Sequence, residues 1–418
     1  MVHEVRHRSS RCVDARLCGF AERASVADAV AWIDAQAALG AETAASGEAC
    51  GRILHAPVAA PADLPAWDRA ADDGYAVRSR ETIGAGAYNP ISLALQAADA
   101  PLAASGAALV NAGAPLPDGA DAVLPFGAAH RAGALVEAVA AVAEGVGVER
   151  RGRELRSGAP LLDAAWELRP QDVAILAALR IARVQVVARP RVRIVLAGPK
   201  RSDVLPHAEV NGRMLEALVA RDGGEPSTTH LLPAAEVARA MARSLREPGA
   251  DAILVVGRTG TGADDEAPLA VADAGELVVH GIALRPGGSA GMGRVASVPV
   301  VLLPGEPLAC LCAYELLAAR LIRRLGGRAP GLPHAVRQAE VTRKMVSAVG
   351  FVDVCQVRVA AGGVEPIGSA EEGGLASVVQ ADGFVVIPAP LEGHAPGDLV
   401  DVHLYGASRR REAREPWP

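Results

Sequence analysis

The 418-residue sequence predicts an α/β and β multidomain protein, in which one parallel α/β domain is flanked by small β-domains. Three observations predict it. Strand-type apolar runs alternate with helical patterns across 189–327, as in a parallel sheet with crossover helices. Short β-type runs separated by Pro and Gly fill 51–147. A second such stretch fills 328–406 and reads as a β-barrel-like domain. At roughly 150 residues per domain, the length itself calls for several domains.

In chain order, residues 1–22 lack periodicity and read as a loose tail, as do 407–418 with Arg409, Arg410 and Arg411. From Ser25 a helix is expected, because Val26, Ala29, Val30 and Ile33 share one face and a Ser and an Asp open the first turn. It is assigned to a discontinuous helical linker domain, 23–50 plus 148–188. There Pro170 begins a second helix that is expected to return to the first. The runs Ile91–Leu95, Ala108–Asn111, Ala122–Leu124 and Leu135–Val142 make strands of the β-domain. In 189–327, strands are expected at Val192–Ala197, Ala252–Val256 and Val298–Leu303, with helices near Asn211–Asp222, Glu266–Ala272 and Leu308–Leu325. Beyond them, Val336 to Leu404 is strand-rich, with turns at Gly350, Gly362-Gly363 and Gly393 to Gly397.

Half the residues are apolar but only 3% are aromatic, so the cores must be built from Ala, Val and Leu. With 42 basic against 48 acidic residues the formal charge is −6, which argues against a nucleic-acid partner. Lys200 and Lys344 are the only lysines. Six scattered cysteines form no C-x-x-C pair, so neither a disulfide framework nor a structural zinc is indicated. No signal-peptide stretch is present and the apolar runs are broken by charge or Pro, so a cytoplasmic protein without membrane spans is expected.

In a parallel sheet, ligands bind beyond the carboxyl ends of the strands. Two such ends are glycine-rich. Gly257-Arg-Thr-Gly-Thr-Gly262-Ala-Asp-Asp265 is either a structural turn or a phosphate cradle with Asp265 near a metal. Pro304-Gly-Glu-Pro307 aims a rigid loop at the crevice. His280-Gly-Ile-Ala-Leu-Arg285-Pro-Gly-Gly-Ser289 adds Arg285, either an oxyanion partner or a surface arginine. Away from the sheet lie two acidic turns, Pro65 to Ala76 with Asp68, Asp72 and Asp73, and Asn111 to Val123 with Asp118 and Asp121. Their carboxylates are either solvated caps or cation ligands.

Taken together, from about Ala24 to Tyr405, these segments resemble the molybdopterin molybdenumtransferase family, the bacterial MoeA proteins and the gephyrin E domain. Pro65–Val77 is similar to the family's P-x-F/W-D-x-S-x-M-D-G-Y-A-V. Gly113 to Val123 is similar to its T-G-A-x-x-P-x-G-A-D-A-V. Arg150-Arg-Gly152, Gly257 to Asp265, Arg285-Pro-Gly, Leu303-Pro-Gly-Glu-Pro, Gly374-Leu-Ala-Ser377 and Ala381-Asp-Gly383 match further family motifs.

The resemblance implies an elongated protomer with a molybdopterin-binding α/β domain, a homodimer with sites in clefts shared between protomers, and a magnesium ion. It also implies insertion of molybdate into adenylylated molybdopterin with release of AMP. On that mapping Asp73, Asp121 and Asp265 are the catalytic acids, and Asp73, Asp265 and Glu209 the metal ligands. Gly257, Arg258, Gly260, Gly262, Arg285, Pro304, Gly305, Pro307 and Ser377 shape the pterin site. Partners would be the molybdopterin adenylyltransferase or a molybdoenzyme.

The chain departs from the family pattern at several of these places. Ala70, Asp72 and Ala112 replace Ser, Met and Thr. Gly152-Arg153-Glu154 stands for G-E-D, Ala197-Gly198-Pro199-Lys200 for T-G-D-E, and Glu209-Val-Asn211 for D-x-N. Arg258 and Gly260 replace Gly and Ser. Gly288 and Ser289 replace the second Lys and Pro of K-P-G-K-P, and Glu306 replaces the Asn of P-G-N-P. Losing a lysine and gaining Glu306 makes an oxyanion pocket less positive unless Arg258 or Lys200 compensates. The competing expectation is a non-catalytic paralogue that binds molybdopterin or finished cofactor, or acts as chaperone for a molybdoenzyme.

Overall fold

The structure, a computed structural model, describes residues 14–198, 207–231, 237–360, 362–367 and 374–406. The chain forms two compact units, Thr43–Val186 and the remainder.

The remainder is built on a six-stranded sheet. Its elements are β1 (Arg191–Ala197), α1 (His207–Arg221), β2 (Glu225–Leu231), α2 (Val237–Arg246), β3 (Ala252–Val256), α3 (Ala267–Ala274), β4 (Glu276–His280), β5 (Gly291–Val295), β6 (Val298–Leu303) and α4 (Pro307–Ala313). After α4 the chain continues through a π-helical turn, Tyr314–Ala318, into α5 (Ala319–Leu325). The strand order is β2-β1-β3-β6-β5-β4. β2, β1, β3 and β6 are parallel, whereas β5 runs antiparallel to both β6 and β4. The expected parallel sheet is therefore mixed, because the glycine-rich stretch after α3 folds as a hairpin and not as a loop.

Two elements escaped the sequence reading. β2 contains Pro226, which a central strand would exclude, but it forms the sheet edge, where one ladder of hydrogen bonds suffices. In α2 the apolar stripe is short, Met241, Ala242 and Leu245, all buried, and arginines fill the other face. Three of the expected strands and three of the expected helices stand within a few residues of their predicted ends.

The sheet core is Val, Leu and Ile with Tyr314 as its largest buried side chain, as the scarcity of aromatics requires. The helix Val26–Asp34, capped by Ser25 accepting from the Asp28 amide, buries Ala29 and Ile33 in this same core, against α5. Pro170–Ala178 packs on the turn at Ser46–Glu48 within its own unit. Following α5, strands Ala335–Glu340, Val352–Ala360, Gly363–Pro366, Gly383–Ile387 and Leu399–Leu404 form the C-terminal sheet. Leu284–Arg285 joins it in parallel with Val352 and Asp353.

In the unit Thr43–Val186, six strands lie in the order Ala122–Pro125, Gly74–Val77, Gly106–Val110, Ile91–Gln96, Leu135–Ala138 and Ala129–Ala132. Their alternate residues Tyr75, Val77, Leu93, Leu124 and Val136 share one core. Each of the four expected runs contains a strand, although the one expected over Leu135–Val142 ends at Ala138 and the one expected from Ala108 starts at Gly106.

Candidate functional site

The carboxyl ends of β1, β3 and β6 lie side by side, with Val256 paired to Leu196 and to Leu303. The loops after β3 and β6 leave from there. Gly257, at φ +85°, donates its N–H to Leu303 O at 3.0 Å, and a Cβ there would stand 2.8 Å from Ala197 O. Only glycine combines that dihedral with that approach. A Cβ on Gly305 would in turn meet the Gly257 Cα at 3.3 Å. Asn211, fully buried on α1, donates from Nδ2 to Gly305 O at 2.9 Å and so ties the Pro304–Pro307 loop to that helix; its Oδ1 accepts no bond among the described residues.

Within the glycine loop, Asp265 Oδ2 accepts from the Gly262 amide at 2.7 Å, and a Cβ on Gly260 would meet that oxygen at 2.7 Å. Below the loop, His280 Nε2 bonds Thr259 O at 2.8 Å, and Thr259 Oγ1 lies 3.2 Å from Ser289 Oγ. Burial lowers the His280 pKa from the ordinary imidazole value, outweighing the Thr259 carbonyl and the nearby Asp265 and Asp14.

These loops border a cavity of about 680 Å³, whose lining includes Gly260, Thr261, Arg285–Ser289 and Glu306. Gly257, Arg258, Pro304, Gly305 and Pro307 are not in its lining; they shape the loops beneath it. Its remaining lining is Phe20, Arg23, Leu284 and Phe351. Phe20, in the segment expected to be a loose tail, is thus part of the wall. The Leu17 amide donates to Thr261 O at 2.7 Å and Phe20 packs edge-on against His280 at 4.9 Å. These are backbone bonds and one aromatic contact, which leave no periodic trace in sequence. A signal was present nonetheless: the chain has four phenylalanines, and two of them line this cavity.

Arg285 lines the cavity with its charge already paired. Its guanidinium grips Asp353, only 1% exposed, through Nε at 2.8 Å and Nη2 at 2.6 Å, so its charge is answered by a carboxylate 68 residues away. Arg258 is not spread toward the cavity. Held at φ +53° where the family has glycine, it donates from Nε to Gly198 O at 2.8 Å and sets Nη1 3.7 Å from Glu266. Glu306 is the N-cap of α4: its two carboxylate oxygens accept from the Leu308 amide at 3.0 Å and the Ala309 amide at 2.6 Å. The amides that an anion would seek at this helix start are already occupied.

Other expected site residues lie elsewhere. Glu209 is exposed in the first turn of α1, and Ser377 donates to Gly374 O at 2.7 Å within the helix Leu375–Gln380, outside this cavity's lining. Pro199 and Lys200 lie outside the described residues. In the other unit, exposed Asp73 begins the strand Gly74–Val77 and accepts the Ala112 amide on Oδ1 at 2.8 Å. Asp121 sits beyond the far end of that strand, since Ala122 pairs with Val77. Five residues at 3.4 Å separate the two acids by about 17 Å. Both Asp121 oxygens are engaged by Ser79, its amide at 2.6 Å and its hydroxyl at 3.1 Å, which makes Asp121 a turn-former and not a partner of Asp73. Among the described residues no three His, Cys, Asp or Glu side chains gather as a metal cluster.

A mixed α/β sheet, with glycine loops around a crevice and a C-terminal β-sheet joined to it, defines a multidomain α/β protein. Residues 24–179 match the MoeA N-terminal region (domain I and II), 202–324 the "Probable molybdopterin binding domain" and 338–405 the MoeA C-terminal region (domain IV). A Methanocaldococcus jannaschii relative is 30% identical over 85% of this chain and 90% of its own. The molybdopterin molybdenumtransferase 2 of Mycobacterium tuberculosis is 31% identical over 72% of this chain and 79% of its own. The crystal structure of a molybdopterin biosynthesis MoeA protein from Pyrococcus horikoshii superposes with a TM-score of 0.74 at 26% identity, covering 93% of this chain and all of that one. The chain belongs to the MoeA family of transferases, with a role in molybdenum cofactor biosynthesis. No described helix is long and apolar enough to cross a membrane.

Proposed function

We propose that this chain inserts molybdate into adenylylated molybdopterin and releases AMP, using the cavity between the glycine loop and Arg285–Ser289. The observation that carries the reading is the convergence of the loops after β3 and β6 with the segment Arg285–Ser289 on one crevice, Asp265 bracing the glycine loop. Gly260, with no side chain at the cavity wall, lets a phosphoryl group approach the backbone closely. The four-part division of the chain given above, a homodimeric assembly and delivery from or to a partner enzyme belong to this proposal.

Magnesium is normally held by one or two carboxylates with substrate phosphates completing its shell, so the lone Asp265 fits it better than a cluster would. A bound Mg²⁺ would polarise phosphoryl oxygens. Asp265 holds the loop through the Gly262 amide with one oxygen, and its other oxygen would be the one to hold the cation. Asp73 is assigned to the same reaction as the exposed acid of the other unit, contributed in a cleft shared by two protomers.

The test is complementation of a bacterial strain lacking its own molybdenumtransferase, scored by molybdoenzyme activity at micromolar and millimolar molybdate with protein level measured alongside. Rescue at micromolar molybdate, lost in Asp265→Asn and in Asp73→Asn while both stay folded, is the expected result. No rescue at either concentration by abundant soluble protein overturns catalysis. A second reading, a cofactor-holding paralogue, is favoured by Glu306 lying on the α4 amides. It predicts that a protein which fails to rescue still binds molybdopterin.

A further inference from the structure

We infer that Arg23 is the cation that holds the substrate's oxyanion in this cavity, filling the space that Gly288 leaves open, in place of the expected Arg285 or Arg258. The inference rests on the proposed function and adds to it a binding residue from outside every matched motif loop.

Its backbone is fixed beside the loop. The Ala24 amide donates to Gly281 O at 3.0 Å and the Ala283 amide to Ala24 O at 2.8 Å, so residues 23–24 run along 281–283 as a short bridge. From there the guanidinium reaches over the loop. Nη1 donates to the Gly288 carbonyl and lies 3.5 Å from Ile282 O. A Cβ built on Gly288 would stand 2.7 Å from that same Nη1. A side chain at 288 and the guanidinium of Arg23 therefore compete for one volume, and in this chain the arginine has it.

The charge is also uncommitted. Both partners of Nη1 are neutral carbonyls, and among the described residues Arg23 pairs with no carboxylate, unlike Arg285 on Asp353 and Arg258 near Glu266. Phe20 lies 4.4 Å and Phe351 5.9 Å from its guanidinium carbon, which orient the planar group without neutralising it. A guanidinium has five N–H donors, so those on Nε and Nη2 are left for a tetrahedral oxyanion. Such a group is either molybdate or the phosphoryl group of the adenylylated pterin.

The experiment measures binding of sodium molybdate and, separately, of AMP to the purified full chain by calorimetry, with circular dichroism melts as the folding control. Arg23→Gln, which keeps a donor for Gly288 O but removes the charge, is expected to weaken one probe at least tenfold. Loss of molybdate binding identifies the oxometalate as the ligand, and loss of AMP binding the phosphoryl group. Gly288→Lys alone should weaken the same probe, because its Cβ displaces the guanidinium, and the double variant Arg23→Ala with Gly288→Lys should regain it to within about threefold. Folded Arg23→Gln that binds both probes like the unmodified protein overturns the role of Arg23 and leaves the proposed function standing. An unmodified protein that binds neither probe overturns both.

Discussion

Both carboxylate oxygens of Glu306 are spent on the first amides of α4, so this residue stabilises the helix start while setting a negative charge at the cavity rim. Asn caps helices as well as an acid does. Glu306→Asn is therefore expected to leave the melting temperature nearly unchanged and to tighten molybdate binding, whereas Glu306→Ala loses about 0.5–2 kcal/mol of stability. Thermal melts and calorimetry on the pair check both halves. Equal molybdate affinity in all three proteins would show that the rim charge does not reach the ligand.

His280 carries a pH dependence at the same scale. Its folded pKa lies below the ordinary value near 6.5, so the unfolded chain binds its proton first. The stabilisation is complete above that value and is lost as pH falls from it through the folded pKa. In His280→Gln, which retains a donor for Thr259 O, the melting temperature should fall less between pH 7 and pH 5. Because burial and His334 also lower the His403 pKa, the difference between the two proteins is the measurement, not the slope of either.

At the scale of an element, the helix Pro170–Ala178 is held at its start by one acid. Asp172 accepts from Trp166 Nε1 at 2.9 Å, from the Arg169 amide at 2.9 Å and from the Arg169 guanidinium at 3.0 Å. The Arg169 side chain above all, then Trp166 and the Arg169 amide, holds its carboxyl well below the ordinary range despite burial. That stability is present above the unfolded carboxylate pKa and is lost only as pH drops beneath it. Asp172→Ala removes the acceptor that caps the helix start and should cost about 0.5–2 kcal/mol, read from urea denaturation. A cost near zero would mean that water takes over these donors. Pro170 at the helix start was legible in sequence because capping is a local matter; the packing of the helix on Ser46–Glu48 was not, because apolar faces carry no address.

Across the larger unit, Arg285 and Asp353 join the loop after β4 to the C-terminal sheet, with Leu284–Arg285 laddered onto Val352 and Asp353. Removing the cation leaves a carboxylate that is 1% exposed without its partner. Arg285→Ala should therefore cost about 3–5 kcal/mol, visible as a lower denaturation midpoint, while its effect on molybdate binding stays smaller than that of Arg23→Gln. If Arg285→Ala instead abolishes anion binding in a protein of unchanged stability, the two arginines have exchanged roles.

Fold class, the β-runs of 51–147 and the strand ends that carry the site were determined by the sequence alone, because period, turn chemistry and glycine loops are set by residues within a few positions of one another. Which charges are available at those strand ends was decided only by the tertiary structure. Arg285 is silenced by a carboxylate 68 positions later, and Arg23 reaches a glycine 265 positions later that no periodicity links to it. Charge and volume act through space, and a pattern of neighbours along the chain does not contain those distances.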